Sequence, residues 1–234
     1  MKTSFIAAAA AAGLFAAINT AQAQFYGSLS AGPAFVGDAN FRDPATADLS
    51  IDYGTGWTIN GALGYRFSPM VRGEIELGYL SADGSGPLTE NILTIAACGN
   101  TPQQPCLDRD VDADLTAKTA LASAFVDIPT GTAVTPYIGA GMGLMRQSLD
   151  IVGVGRTAQG AASPFTVMDD GSTEFAYRGA LGFAFDMGSM EGDIGYTYTR
   201  SSKPTLSGRS SFISFDYDRP VAVHAITAKV RLDF

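Results

Sequence analysis

One histidine, two cysteines and a spaced run of aspartates are the residues whose types could carry chemistry in this 234-residue chain. His224 is the only imidazole available as a general base. It falls on the apolar side of an alternating C-terminal segment, so no catalytic residue is assigned. Two thiols alone make a poor metal site. Asp108, Asp110, Asp112 and Asp114, with Asp38, Asp43, Asp48 and Asp52 earlier, offer oxygen ligands of the kind Ca²⁺ takes. They lack EF-hand spacing and a repeated Gly-Asp motif, so they read as solvated charges, and no metal or cofactor is expected. Lys and Arg number 15 against 23 Asp and Glu, a net charge of −8. That excludes the basic face a nucleic-acid binder needs.

The elements that must position these residues are strands. Only 16% of the chain is charged, where a soluble domain carries about a quarter. The N-terminus joins Lys2 to an apolar stretch from Phe5 to Ile18 and ends in Ala21-Gln22-Ala23. These are the parts of a secretory signal peptide over residues 1–23, with the exported domain at 24–234. Export makes a disulfide the expected state of Cys98 and Cys106. Closing that short loop contributes about 2.6 kcal/mol in the chain-entropy account.

Period-two segments follow at 24–36, 56–67, 71–81, 114–128, 134–148, 173–186, 190–200 and 221–234. The connections at 68–70, 129–133 and 187–189 are short; those at 37–55, 82–113, 149–172 and 201–220 are long. An even strand number with short turns at one end and long loops at the other predicts an all-β fold: an eight-stranded antiparallel transmembrane β-barrel, up-and-down in topology.

Alternation separates the faces. Arg66, Arg72, Glu74, Glu76, Asp114, Lys118, Glu174, Arg178, Asp186, Glu191, Asp193, Lys229, Arg231 and Asp233 share a face otherwise rich in Gly, Ala, Ser and Thr. Asp127, Arg146 and Arg200 fall on the apolar face near strand ends. Small residues suit the interior of an eight-stranded barrel, which places the charged face inward. The expected lumen network is Arg66, Arg72, Glu74, Glu76, Lys118, Glu174, Arg178, Asp186, Glu191, Asp193, Lys229 and Arg231, centred on Arg72, Glu74, Glu76 and Arg231. Aromatic girdles are expected from Phe25, Phe67, Phe125, Phe185 and Phe234 on the short-turn side. Trp57, Tyr79, Phe175, Tyr177 and Tyr198 form the long-loop girdle.

Three segments carry a family resemblance. They are Leu63-Gly64-Tyr65-Arg66-Phe67 with Glu74-Ile75-Glu76-Leu77-Gly78-Tyr79, the run Thr135-Pro136-Tyr137-Ile138-Gly139-Ala140-Gly141-Met142-Gly143-Leu144, and the terminal Val230-Arg231-Leu232-Asp233-Phe234. The chain resembles the small OmpA-like, opacity-type outer-membrane β-barrels. The resemblance implies residence in the outer membrane of a Gram-negative bacterium, with both termini periplasmic. It also implies outer-membrane lipid and lipopolysaccharide around the wall, and the barrel-assembly machinery as a partner through Phe234. Some eight-stranded outer-membrane barrels act on lipid A; the deacylases carry His-x-Ser where this chain has His224-Ala225-Ile226, so His224 reads as a polar residue beside the headgroups.

The expected function is structural or surface-interacting, adhesin- or antigen-like, through four extracellular loops. Phe41, Phe165, Phe212, Phe215 and Tyr217 are the loop aromatics that could meet an extracellular or host partner. A narrow low-conductance pore and a soluble exported ligand-binding barrel are the alternatives.

Overall fold

The computed structural model describes residues 25–37, 39–43, 47–87, 110–156, 162–202, 206–209, 214–217 and 220–234. Twelve strands lie among them: β1 (Phe25–Val36), β2 (Ala39–Asp43), β3 (Ala47–Tyr53), β4 (Thr55–Ser68), β5 (Val71–Pro87), β6 (Asp110–Asp127), β7 (Val134–Arg156), β8 (Ala162–Asp186), β9 (Glu191–Ser201), β10 (Leu206–Arg209), β11 (Ser214–Tyr217) and β12 (Ala222–Asp233). Antiparallel pairing runs β1–β4–β5–β6–β7–β8–β9–β12 and returns to β1, closing an eight-stranded barrel. Closure leaves no unpaired sheet edge in the wall, the condition for crossing a bilayer with strands. The pairs β2–β3 and β10–β11 are accessory hairpins in the first and last long connections.

Residues 1–23, read above as an export signal, lie outside the described residues, as do Cys98, Cys106, Asp38, Asp108 and Phe212. So do the side chains of Asp43, Asp48, Asp110, Phe41, Phe165, Phe215 and Tyr217.

Two of the three short turns are shaped by positive-φ glycines, Gly131 at 72° and Gly188 at 86°. An L side chain is strained in that region. Asp186 accepts the Gly188 amide hydrogen at 2.8 Å. In the third, Ser68 Oγ accepts from the Met70 and Val71 amides at 3.3 and 3.1 Å.

Strands β5 to β8 run further toward the long-loop end than the sequence predicts: β5 reaches Pro87, β6 begins at Asp110, β7 reaches Arg156 and β8 begins at Ala162. Their added length keeps an inward apolar row. Val111, Ala113, Leu115, Leu149 and Ile151 are buried together with Ile51, Leu80, Met145, Val221 and Val223. These side chains fill the long-loop half of the interior, and their burial stabilises a ribbon longer than the roughly ten residues a bilayer requires.

The outer wall is apolar. Leu29, Leu63, Ile75, Leu77, Ile138, Met142, Leu181, Ile194, Ile226 and Leu232 point away from the interior. Phe25, Phe67 and Phe185 lie near its short-turn rim, while Trp57, Phe175 and Tyr177 lie toward the other. Tyr79 and Tyr198 are half-buried there, packed on Trp57 and His224.

Strand β6 is turned opposite to the sequence reading. Leu115, Ala117, Leu121, Phe125 and Asp127 are buried, and Asp114, Lys118, Ala120, Ala122 and Ala124 face out. Phe125 is therefore a lumen residue, 5% exposed, and no part of a girdle. The ladder enforces this. Arg72 lies opposite Phe125 and Glu76 opposite Leu121, so they share the inner side. Ala120 and Ala122 lie opposite Leu77 and Ile75, whose larger side chains cover the lipid face. The outward charges of β6 fall on its long-loop half, where water or headgroups are within reach.

Candidate functional site

Inside the short-turn half, charged residues from facing strands meet across the lumen. Alternate inward positions carry Arg72, Glu74 and Glu76 on β5, Asp193 on β9, and Lys229 and Arg231 on β12.

Glu74 is the centre. Its Oε1 accepts from Tyr26 at 2.9 Å and from Arg72, and its Oε2 accepts from Lys229 at 3.0 Å. The Arg72 Nε donates to both oxygens of Asp127, at 3.1 and 3.0 Å. Its guanidinium lies 4.1 Å from the Phe125 ring centroid and 5.0 Å from that of Tyr137. Two basic groups thus converge on one buried carboxylate, and the aromatic faces add cation–π stabilisation.

A second group forms on Arg231. It pairs with Glu191 and donates to Asp193 Oδ2 at 2.8 Å, while Tyr137 donates to Asp193 Oδ1 at 2.9 Å. Arg66 joins Glu191 at 2.9 Å and Asp233 at the rim, and lies 4.9 Å from the Tyr26 ring. Deeper in the lumen, Arg178 pairs with Glu76 and donates to Thr199 Oγ1 at 2.9 Å. Arg66, Arg72, Arg178, Lys229 and Arg231 thereby face Glu74, Glu76, Asp127, Glu191, Asp193 and Asp233, and nearly balance them. Burying so many ions is costly, and mutual pairing offsets the cost.

Three residues expected in this network lie elsewhere. Lys118 is exposed on the outer face, for the register reason given above. Asp186 is exposed at the short-turn rim, occupied by the Gly188 amide. Glu174 faces inward near the long-loop end, too far along β8 to reach the network, and accepts from Ser202 Oγ at 3.4 Å. Asp114 is likewise outward. Conversely, Tyr26, Phe125, Asp127 and Tyr137 belong to the site and were not singled out for it. The signal for Asp127 was a carboxylate on a nominally apolar face; its partner Arg72 lies across a long connection.

The two tyrosines cross the lumen because glycines make room. A Cβ on Gly64 would lie 2.1 Å from Tyr26 Cζ, and one on Gly195 would lie 2.4 Å from the Tyr137 hydroxyl. Gly64→Val is expected to push the Tyr26 ring off Glu74 and destabilise the barrel by about 1–3 kcal/mol. Gly179→Val, at a position where an added Cβ meets nothing within 4 Å, should change stability by less than the Gly64 substitution. The shift in urea midpoint of the refolded barrel is the measurement; equal midpoints for the two variants would refute the packing argument.

Between the charged and apolar layers lies a cavity of about 30 Å³. Thr58, Asn60, Thr119 and Arg178 bound it on one side, and Leu80, Met145 and Val223 on the other. That is space for about two water molecules. Gln147 is a polar residue within the apolar layer, its buried amide, like the hydroxyl of Ser172 opposite it, without a hydrogen-bond partner among the described residues. His224 points outward, 2.6 Å from the Tyr196 hydroxyl.

A closed antiparallel ring with an apolar outer wall and internally paired charges defines a transmembrane barrel of the outer-membrane type. The chain matches the outer membrane protein beta-barrel domain family across residues 5–234, and it belongs to that family. An uncharacterized protein of Brucella abortus strain 2308 is 26% identical over 178 residues, which is 74% of this chain and 59% of that protein. One from Brucella melitensis biotype 1 matches to the same extent. The chain thus spans about three fifths of the length of these curated relatives. Among solved structures, Neisserial surface protein A superposes with a TM-score of 0.51 at 18% identity, covering 90% of this chain and 97% of its own. That likeness concerns the fold. The protein is an outer-membrane β-barrel of Gram-negative type.

Proposed function

We propose that this barrel is a sealed structural scaffold that holds its long connections at the cell surface for adhesin- or antigen-like interaction. The observation carrying this reading is the filled interior. The short-turn half is crossed by the ion-pair network, and the long-loop half is packed with Leu80, Leu115, Met145 and Leu149. A conducting pore needs a wetted path, and an apolar constriction opposes one. Short turns and both termini face the periplasm in this reading, as outer-membrane barrels generally arrange them. Residues 1–23 then serve as export signal, Phe234 engages the barrel-assembly machinery, lipid and lipopolysaccharide surround the wall, and a Cys98–Cys106 disulfide shapes the second long connection. Binding specificity resides in the loops, because the wall is occupied by lipid.

Planar-bilayer recording tests the seal. The wild-type protein and the Glu74→Ala and Arg231→Ala variants should all show no discrete conductance steps. A conductance that either substitution alters would replace the scaffold by a gated pore. Crosslinking on intact cells from the second long connection should capture an extracellular macromolecule; capture of periplasmic components alone would reject the surface role.

A further inference from the structure

Among the described residues the few charges on the outer wall lie toward its long-loop end, and two of them, both cations, face each other on one rung. Lys118 on β6 lies directly opposite Arg146 on β7, and both side chains are exposed on the outward face. Like charges directly opposite each other destabilise a ladder unless something compensates them. Among the described residues neither cation has an ion-pair partner. Their ladder neighbours are hydroxyl-bearing instead: Tyr79 beside Lys118, Thr173 beside Arg146, and the Thr116–Ser148 rung next along the strands.

The depth of the pair is informative. From Asp127 at the short-turn end to Lys118 is about 30 Å along β6 at roughly 3.3 Å per residue. At a strand tilt of 35–45° this is about 21–25 Å along the barrel axis, close to the ~25 Å height of an apolar belt. Four residues further on, Asp83, Asp114 and Asp150 form one outward row across β5, β6 and β7, which belongs in water. The cations therefore sit at the level of the headgroups, between hydrocarbon and solvent, with the tilted rings of Trp57 and Tyr79 packed 5.3 Å apart near the same rim.

We infer that Lys118 and Arg146 form a seat on the barrel's outer wall for the phosphate of an anionic lipid of the outer leaflet. Two converging cations neutralise the phosphate charge, the neighbouring hydroxyls donate to its remaining oxygens, and the acyl chains lie against Leu77, Met142 and Leu144 below. The acidic row above repels the phosphate and limits its approach to this rung. The leaflet assignment rests on the orientation proposed above; the site itself does not.

The test uses the refolded full chain in phosphatidylcholine nanodiscs containing bis-phosphorylated lipid A or its dephosphorylated form. Lipid retained on release is counted by native mass spectrometry. Wild type should retain the phosphorylated lipid preferentially. A basic residue at an anionic membrane surface strengthens binding about fivefold, so the Lys118→Gln/Arg146→Gln double variant should lose about 25-fold. Arg200→Gln removes a separate outward cation, whose ladder neighbours are Tyr177 and Ala222; it should leave retention within about twofold if the fivefold increment is specific to the seat. Heat-dependent gel mobility confirms that each variant is folded.

Undiminished retention by the folded double variant would overturn the proposal. So would a loss of about fivefold in Arg200→Gln, the share of one charge, which would mean diffuse charge, or competition by inorganic phosphate as strong as that by lipid A. The nanodisc presents the same lipid on both sides, so this result is independent of orientation. Labelling of a Thr132→Cys variant on intact cells would instead overturn the orientation, and with it the outer-leaflet assignment alone.

Discussion

Glu74→Ala is expected to destabilise the refolded barrel by about 3–5 kcal/mol, the cost of leaving a buried charge uncompensated. Among the described residues Lys229 loses its ion-pair partner, and Arg72 keeps only Asp127 as one. Tyr26 loses its acceptor as well. Glu74→Gln retains the shape and one acceptor, so it should cost less than alanine. Trp57, the only tryptophan, is 52% exposed on the outer wall, which makes its fluorescence a probe of wall integrity during equilibrium urea unfolding. A loss below about 1 kcal/mol, the worth of an exposed pair, would mean that water reaches these groups and that the lumen is not closed around them.

Ala122→Arg tests the orientation of β6. Ala122 is about 12–14 Å along the barrel axis from Asp127 by the same strand rise and tilt, near the middle of the apolar belt. Facing lipid, an arginine there should cost about 2–4 kcal/mol, whereas Thr116→Arg near the rim should cost about 0–1 kcal/mol. Were Ala122 inside, the new guanidinium would lie on the level of Glu74 and Glu76 and find a partner. A smaller loss for Ala122→Arg than for Thr116→Arg would restore the opposite face assignment.

Much of the architecture is legible residue by residue. The runs Val71 to Tyr79 and Ile226 to Phe234 alternate so regularly that face and strand are read together. Pro and Gly at 129, 131 and 188 mark turns whose positive φ the structure shows at the two glycines. The extensions of β5 to β8 were missed because Gly84, Gly86, Gly153 and Pro164 look like loop residues. The inward row of Val111, Ala113, Leu149 and Ile151 carries the strand signal more weakly. Strand β6 misled for a different reason. Lys118 and Asp114 share a face with three alanines, which has the same composition as a lumen face. Leu121 and Phe125 look lipid-facing by size, although volume is needed inside as well, where Phe125 lies against the Arg72 guanidinium.

The sequence by itself determined the strand class, the alternation of short and long connections, and the segregation of charge from most of the outer surface. These follow from the two-residue period, a local property of extended backbone. Only the tertiary structure decided which charges meet. Arg72 with Asp127, Tyr137 with Asp193 and Arg178 with Glu76 are pairs formed across the lumen or between strands far apart in sequence, and their meeting depends on register around a closed ring. A shift of one residue between two strands reverses every side chain, and only closure of all eight selects among the registers. The same selection left Lys118 and Arg146 side by side on the membrane face, a juxtaposition that no local pattern announces.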